Sequence, residues 1–412
     1  MINFITLPAV QDIKRHAKEN IGAGFLLTAS IVSALLNLFF LTIAARSLSS
    51  TSFAQLSIGL TVLGIAGLLF AGVQTEVIAL STRSRSLPNE KLEGKFVPPG
   101  TLLLLGLSVP VSLLIVVVLK LDRAYALVFL VSVLPLLLTA TSSGILAAAK
   151  RIFYWQIVVI SMAVIKIAWG ASMSELGLES VFYLLSVPVG MGFAAFLYRL
   201  KILNLGVKFV NFRLSNSLGK GVLPVAIWVG LSLDLLVSRG LLGPDQVGDF
   251  AVSASLVKPL PVLIAGVGIL YVSRLATDVI NQEVSVRPLT KLLLGAAILS
   301  VVGVALLGIA GPLIVARFFG GTYENATYYI LPMAIASIPW AVTFALANAL
   351  MASDRSPKLV SLMLGLLPLQ YVLLFLSKGN LTLYIAMNGV TGLFALISVM
   401  FIVKRSGLAP AG

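Results

Sequence analysis

The chain of 412 residues contains no cysteine and a single histidine, His16. The absence of cysteine excludes disulfide bonds, thiolate metal sites and thiol redox chemistry. A single histidine near the N-terminus excludes a buried histidine proton relay. Charged residues are also scarce, at 11% of the chain, whereas 59% of the residues are hydrophobic. Soluble domains average about 25% charged residues, so this composition excludes an ordinary soluble fold.

Long apolar runs fill almost the whole chain. A hydrocarbon core about 30 Å thick needs roughly 20 apolar residues as a helix. The runs lie at about 21–45, 54–80, 98–119, 125–149, 152–170, 178–198, 222–242, 249–272, 290–313, 327–351, 358–376 and 381–402. Unpaired backbone groups are too costly in lipid, and no strand-like alternation is visible. The sequence therefore predicts an all-α, polytopic membrane protein with 12 transmembrane helices.

The net charge of +14 is distributed unevenly between the predicted loops. If the N-terminus is cytoplasmic, 21 of the 29 basic residues fall on the cytoplasmic side and only five on the outside. This asymmetry is the positive-inside pattern, so we predict that both termini are cytoplasmic. The basic loops then face anionic membrane lipids, and nucleic acid is not the expected partner.

Residues 1–20 are predicted to form an amphipathic segment on the cytoplasmic surface. One face carries Val10, Ile13 and Ala17, and the other carries Lys14, Arg15 and Lys18. This pattern is typical of a helix that lies on a membrane. Charge is spread through the segment and no small-residue cleavage site precedes the first run, which argues against a signal peptide.

A basic connection between the sixth and seventh runs divides the chain into two halves. Leu48-Ser-Ser-Thr-Ser-Phe-Ala follows the first run, and Leu242-Gly-Pro-Asp-Gln-Val-Gly follows the seventh, at an offset of 194 residues. Six spans per half give both copies one orientation, related by a pseudo-two-fold axis along the membrane normal. We predict an N-lobe at 21–203, a basic cytoplasmic linker at 204–221 and a C-lobe at 222–412.

Two ionisable residues lie near the middle of predicted spans, Asp234 in the seventh and Lys258 in the eighth. A charge inside the membrane costs several kcal/mol unless it is paired or solvated, so each is a candidate functional residue. Pro259 and Pro261 follow Lys258, remove backbone donors and should kink the helix. The alternative interpretation is that Asp234 and Lys258 form a purely structural ion pair.

Other polar residues in or beside the spans allow two interpretations. Glu76, Lys166 and Arg239 lie about one turn from span ends, where they either function or extend to water. Asn37 and Gln74 are binding candidates or interhelical hydrogen-bonding groups. Arg46 ends the first span, where an interface anchor is the simpler interpretation.

Two segments resemble polysaccharide flippases of the multidrug, oligosaccharidyl-lipid and polysaccharide (MOP) exporter superfamily. The first segment is Asn37-Leu-Phe-Phe-Leu-Thr-Ile-Ala-Ala-Arg46-Ser-Leu-Ser-Ser-Thr-Ser-Phe53. The second begins at Asp234 and continues through Leu242-Gly243 to Gly248-Asp-Phe250. The resemblance implies two six-helix lobes that form a V, with a central cavity lined chiefly by spans one, two, seven and eight.

The same resemblance implies a substrate and roles for the candidate residues. The substrate would be a polyprenyl-diphosphate-linked oligosaccharide, flipped across a bacterial inner membrane by alternating access, without covalent chemistry, for surface polysaccharide assembly. Polysaccharide-assembly proteins would be partners. Substrate binding would involve Lys258, Arg239, Arg46, Asn37 and Gln74. Coupling to H⁺ or Na⁺, or a cavity charge, would involve Asp234, Glu76 and Lys166.

Other functions remain open at this point. A cation-coupled multidrug or small-solute exporter of the same superfamily is the main alternative. A major-facilitator carrier also has 12 spans, but its basic signature with an embedded Gly-Arg pattern is absent from the connection that follows Ser81. A membrane glycosyltransferase would need acidic residues on large outer loops, which are short here. A scaffold without transport activity is a further alternative.

Overall fold

The computed structural model of the chain describes residues 28, 32–86, 100–149, 151–204, 214–261, 263–264, 286–350 and 356–406. The described residues form helices joined by short turns, with no strand among them. The predicted amphipathic segment at 1–20 lies outside the described residues.

The first half of the chain forms seven helices. They are α1 (Val32–Ser47), α2 (Ser50–Ser86), α3 (Thr101–Val118), α4 (Ala124–Ala148), α5 (Ile152–Glu175), α6 (Ser180–Leu184) and α7 (Ser186–Asn204). The predicted sixth span is split between α6 and α7 at Leu185. Pro188 has no N–H for the carbonyl of Leu184, which accounts for the interruption.

The second half forms six helices. They are α8 (Leu214–Leu241), α9 (Pro244–Val257), α10 (Val286–Ile314), α11 (Ala326–Leu350), α12 (Ser356–Leu376) and α13 (Leu381–Ser406). Helix α10 continues into a π-helical turn, Val315–Phe319, and a 3₁₀ turn, Gly321–Tyr323, follows. Lys258 is a turn residue after α9, followed by helical residues at 259–261 and 263–264.

Ten of the described helical stretches are long and apolar enough to cross a membrane. The predicted first and eighth spans are described only in part, as α1 and as residues 249–261 and 263–264. Many large apolar side chains on these helices face outward, with Leu102 86% exposed and Ile309 74% exposed. Such surfaces suit lipid, and the chain is an all-α, multi-pass membrane protein as predicted.

Helix α8 begins at Leu214, eight residues before the predicted start of the seventh span at 222. The predicted linker at 204–221 is therefore helical from Leu214 onward. The extra turns carry polar residues such as Ser217 and Lys220, which contribute no hydropathy signal. Contacts with α2 stabilise these turns instead, and a hydrophobic-run criterion does not detect such contacts.

Each lobe has its own helix packing. In the N-lobe, α4 packs against both α2 and α7, and α5 packs against α7. In the C-lobe, α11 packs against α10 and α13, and α12 packs against α8 and α13. The lobes meet where α2 contacts α8 and α9. The chain thus has the predicted two-lobe architecture, with the first long helices of the C-lobe forming the contact with the N-lobe.

We call the end of the bundle where α1 finishes the Arg46 end; in the predicted topology it faces outside. Aromatic rings join the lobes here. Phe39 of α1 packs edge-on against Phe318, with centroids 6.0 Å apart, and Phe53 of α2 does the same with Phe319 at 6.3 Å. One hydrophobic core cluster continues across the lobe boundary at this end.

We call the opposite end the Glu76 end. Helices α2 and α8 cross here without room for side chains, since a Cβ on Gly72 would overlap the backbone of Ser217 and Gly221. Small residues allow this close approach. Glu76 of α2 forms an ion pair with Lys220 of α8 beside the crossing. The lobes are therefore in contact at the Arg46 end and at the Glu76 end, and the V implied by the resemblance is closed along these helices.

Candidate functional site

An ion pair between Asp234 and Lys258 lies inside the C-lobe. Asp234 of α8 is 2% exposed and Lys258 is 9% exposed. Nζ of Lys258 lies 2.6 Å from Oδ1 of Asp234 and donates a second hydrogen bond of 2.7 Å to the carbonyl of Leu231. The pairing that the sequence left as an alternative is present in the structure.

The local sequence explains how Lys258 reaches Asp234. Helix α9 ends at Val257, and the backbone N–H of Lys258 still donates to the carbonyl of Ala254 at 2.9 Å. Pro259 and Pro261 cannot continue the helical hydrogen bonds. The interruption predicted from these prolines lies directly at the charged residue, where it places the ammonium group against α8.

The carboxylate of Asp234 is hydrogen-bonded on both oxygens. Oδ1 also accepts from the backbone N–H of Leu235 at 2.7 Å, and Oδ2 accepts from Nδ2 of Asn388 at 2.9 Å. The hydroxyl of Tyr384 donates to the main-chain carbonyl of Asp234. Asn388 and Tyr384 both lie on α13. A buried charge is stable only with such complete pairing, so the carboxylate ties α8 to α13 and to Lys258.

Two further helices join this C-lobe network through Asn388. Gln370 of α12 donates from Nε2 to Oδ1 of Asn388 at 2.8 Å and to the carbonyl of Gly230 at 2.7 Å. Trp340 of α11 donates from Nε1 to the main-chain carbonyl of Asn388 at 3.1 Å. Oε1 of Gln370 is buried without a hydrogen-bond donor among the described residues. The network therefore keeps one spare acceptor.

Two glycines make room for Trp340. A Cβ on Gly230 would lie 2.6 Å from the Trp340 ring, and a Cβ on Gly392 would lie 2.7 Å from it. The bulky ring thus fits between α8 and α13 only because both helices carry glycine there.

Sequence reasoning missed Trp340, Gln370, Tyr384 and Asn388. The available signal was the polar side chains within otherwise apolar runs.

The N-lobe holds a second intramembrane lysine in a different setting. Nζ of Lys166 on α5 donates to Oδ1 of Asn37 on α1 at 2.7 Å and lies 4.7 Å from the centroid of the Phe40 ring. The amide of Asn37 is oriented by its own bond to the carbonyl of Ser33 at 2.9 Å. Both partners of Lys166 are neutral, so no carboxylate of the described residues compensates this cation.

The other candidates lie away from Asp234. Glu76 is bound to Lys220 at the Glu76 end. Gln74 is half-buried on α2, and its main-chain carbonyl faces Gly144 of α4. Arg46 and Arg239 lie at the Arg46 end, with their guanidinium groups on main-chain carbonyls. The structure therefore joins Asp234 with Lys258 and Asn37 with Lys166, and separates these pairs from the residues at the two ends.

Comparison with known proteins gives the same architecture. No protein-family model and no curated protein matches the chain. Among solved structures, an inward-facing multidrug resistance MATE transporter of the MOP superfamily aligns at a TM-score of 0.69. The alignment covers 92% of this chain and 96% of that one, at 12% identity. The chain has the MOP fold.

Two other structures with this fold also align over nearly the full length. The lipid II flippase MurJ, in an inward closed conformation, has a TM-score of 0.67 and 13% identity, covering 92% of this chain and 87% of that one. The eukaryotic MATE transporter AtDTX14 has a TM-score of 0.66 and 15% identity, covering 96% of both chains. At these identities the likeness establishes the MOP fold, and the substrate has to be argued from the residues.

Proposed function

We propose that this protein is a transporter that flips a polyprenyl-diphosphate-linked oligosaccharide across a bacterial inner membrane by alternating access. The observation that carries the proposal is the contact between the lobes. At the Glu76 end it includes a glycine crossing and one partly exposed ion pair. At the Arg46 end it includes aromatic edges, arginine–carbonyl bonds and the hydrophobic core that the lobes share. The two sets involve different residues, so in the proposed cycle one set would separate while the other holds.

The charges favour an anionic substrate. Arg46, Arg239 and Lys166 lie in or beside the spans, and none forms an ion pair with a carboxylate among the described residues. Uncompensated cations near a low-dielectric interior attract a diphosphate strongly, and guanidinium groups bind it bidentately. Lys258 is different, because Asp234 already neutralises it. We therefore assign Lys258 to the coupling pair rather than to substrate binding.

Coupling is proposed to act through the Asp234 carboxylate. A proton or Na⁺ bound there would weaken its hold on Lys258, and the spare oxygen of Gln370 offers a further acceptor close by. The ion pair joins α8 to the turn after α9, and both helices contact α2 of the N-lobe. A change at the pair therefore alters the interface between the lobes. Glu76, at the far end of that interface, is a second candidate coupling residue.

A cation-coupled multidrug or small-solute exporter is the second candidate function. The likeness to MATE structures favours it, since inward-facing and outward-facing multidrug transporters align with the chain at TM-scores of 0.69 and 0.65. The absence of a carboxylate from the described part of α1 argues for the flippase. As part of the flippase proposal, polysaccharide-assembly proteins are expected partners, and both termini are expected to be cytoplasmic.

The test is deletion of the gene in its host, followed by quantification of lipid-linked glycans on each face of the inner membrane. We expect glycans to accumulate on the cytoplasmic face. The native chain should relieve the accumulation and Asp234→Asn should not. Asp122→Asn makes the same chemical change on an exposed turn and should behave as the native chain. An unchanged lipid pool would instead favour the small-solute exporter.

A further inference from the structure

Two arginines occupy corresponding places in the two lobes. Arg46 is the penultimate residue of α1, the first helix of the N-lobe, and Arg239 lies in the last turn of α8, the first helix of the C-lobe. Both therefore lie at the Arg46 end. The repeat at an offset of 194 residues, which follows each of these helices, aligns Arg46 with Gly240, so the two arginines lie one residue apart in the aligned halves.

Each arginine binds the opposite lobe. Arg46 donates from Nε to the carbonyl of Phe318 at 2.7 Å and from a terminal nitrogen to that of Arg317 at 2.6 Å. These carbonyls end the π-helical turn that follows α10. Arg239 donates to the carbonyl of Lys120, two residues beyond α3. Since α3 and α10 contain the third predicted span of each half, the two contacts are reciprocal.

The acceptors are carbonyls that helix ends leave free. The backbone N–H groups of Lys120 and Leu121 bond back to α3, to the carbonyls of Val117 and Val116 at 3.3 and 2.9 Å. Lys120 adopts a left-handed conformation with φ of 54°, which ends the helix and leaves its own carbonyl to Arg239. A cation at a helix C-terminus also interacts favourably with the helix dipole.

Neither guanidinium is neutralised by this arrangement. No carboxylate among the described residues pairs with Arg46 or Arg239, and a carbonyl is an uncharged acceptor. A phosphate group adds charge–charge attraction and a bidentate geometry to the guanidinium bond, neither of which a main-chain carbonyl offers. An oxyanion that reaches this end can therefore replace the carbonyls, and the replacement breaks two contacts between the lobes.

We propose that Arg46 and Arg239 form a paired latch that closes the Arg46 end and opens when an oxyanion replaces the carbonyls as the guanidinium partner. The inference rests on the proposed function for its substrate class, because the diphosphate of a lipid carrier supplies such an oxyanion. It adds a role that substrate binding alone does not contain, since the same groups hold the lobes together without substrate.

The latch can be tested by distance measurements between the lobes in the purified full chain. Because the chain has no cysteine, spin labels attach only at Leu176→Cys in the N-lobe and Tyr328→Cys in the C-lobe, both exposed and near the Arg46 end. We expect Arg46→Gln and Arg239→Gln each to raise the ratio of separated to closed lobes at least about tenfold. Arg123→Gln removes an exposed charge at the same end, at a residue that takes no part in the latch, and should leave the ratio unchanged.

Sodium pyrophosphate is the probe for the oxyanion, against sodium chloride at equal ionic strength. Pyrophosphate should separate the lobes of the native chain and have no further effect on the double variant Arg46→Gln, Arg239→Gln. Native-like distances in both single variants, or an equal effect of Arg123→Gln, would overturn the latch. A pyrophosphate response that persists in the double variant, or none in the native chain, would overturn release by an oxyanion.

Two features keep the outcome clear. If a glutamine variant fails to fold, Arg46→Lys keeps the charge and loses the two-carbonyl contact, so it should open the latch partly. The measurement contains neither glycan nor lipid carrier. If the latch variants behave as the native chain while glycans accumulate in the deletion strain, the latch is wrong and the flippase proposal stands. If the latch variants separate the lobes as expected while the lipid pool is unchanged, the flippase proposal is wrong and the latch stands.

Discussion

Asn388 holds Asp234 from α13, through a hydrogen bond of 2.9 Å from its Nδ2 to Oδ2 of the carboxylate. The same amide accepts from Gln370 through its Oδ1 at 2.8 Å. The donor and acceptor ends of the Asn388 side chain are thus both used, and its orientation is determined by its two neighbours. Asn388 therefore transmits the position of α12 to the carboxylate on α8.

Replacing Asn388 by leucine should destabilise the C-lobe. Asn388→Leu leaves Oδ2 of Asp234 and one donor bond of Gln370 without a partner in a buried site, at a cost of about 1–3 kcal/mol for each group. Thermal unfolding in detergent measures the effect as a lower melting temperature. Asn325→Leu, on an exposed turn, is the matched control. A melting temperature equal to that of the native chain would show that the amide is dispensable.

The ion pair can be examined by a double-mutant cycle. Asp234→Asn or Lys258→Met alone leaves one buried charge uncompensated, which typically costs about 3–5 kcal/mol. The double variant should be more stable than the sum of the two changes predicts. If it also restored transport, the pair would be purely structural. We expect recovered stability without transport, because Asp234 is proposed to bind the coupling ion.

The neutral partners of Lys166 lead to the opposite expectation for stability. Lys166→Met removes an ammonium group that costs several kcal/mol inside the membrane, so the melting temperature should stay equal or rise. Transport of an anionic substrate should fall, since a cation is lost. Lys358→Met, at an exposed position, should change neither. A clear drop in melting temperature would mean that the contacts with Asn37 and Phe40 outweigh the cost of burial.

The predictable part of this molecule is the part that hydropathy encodes. The apolar runs predicted the membrane-spanning helices. Asp234 and Lys258 were identified as candidate residues because charged side chains are rare within spans. Asn388 and Gln370 were missed, since they lie more than 130 residues from Asp234 along the chain. Asn388 reaches the carboxylate, and Gln370 reaches Asn388, only through the packing of α12 and α13. Lys220 was assigned to a linker because its turn of α8 is polar, although it binds Glu76.

The glycine crossing of α2 and α8 predicts that a larger side chain at the crossing will open the Glu76 end. Gly221→Val introduces a Cβ that overlaps the carbonyl of Leu69, so α2 and α8 must separate. Labelling by a maleimide of a cysteine at the buried position Ser217 should then become faster. Gly219→Val lies on the same helix with no neighbouring atom within 4 Å, and should leave the rate unchanged. Equal rates in both variants would show that this end opens without separating the crossing.

The cation at Asp234 is covalently attached to the chain that it serves. Its local concentration is set by the geometry of the turn after α9 and stays the same whatever salt surrounds the cell. An external cation must therefore compete with an intramolecular rival: sodium has to displace or share the ammonium group, and a proton on the carboxylate leaves the buried ammonium group without its counter-charge. If Asp234 couples transport to an ion as proposed, this tether sets a free-energy cost that a proton and a sodium ion must each overcome.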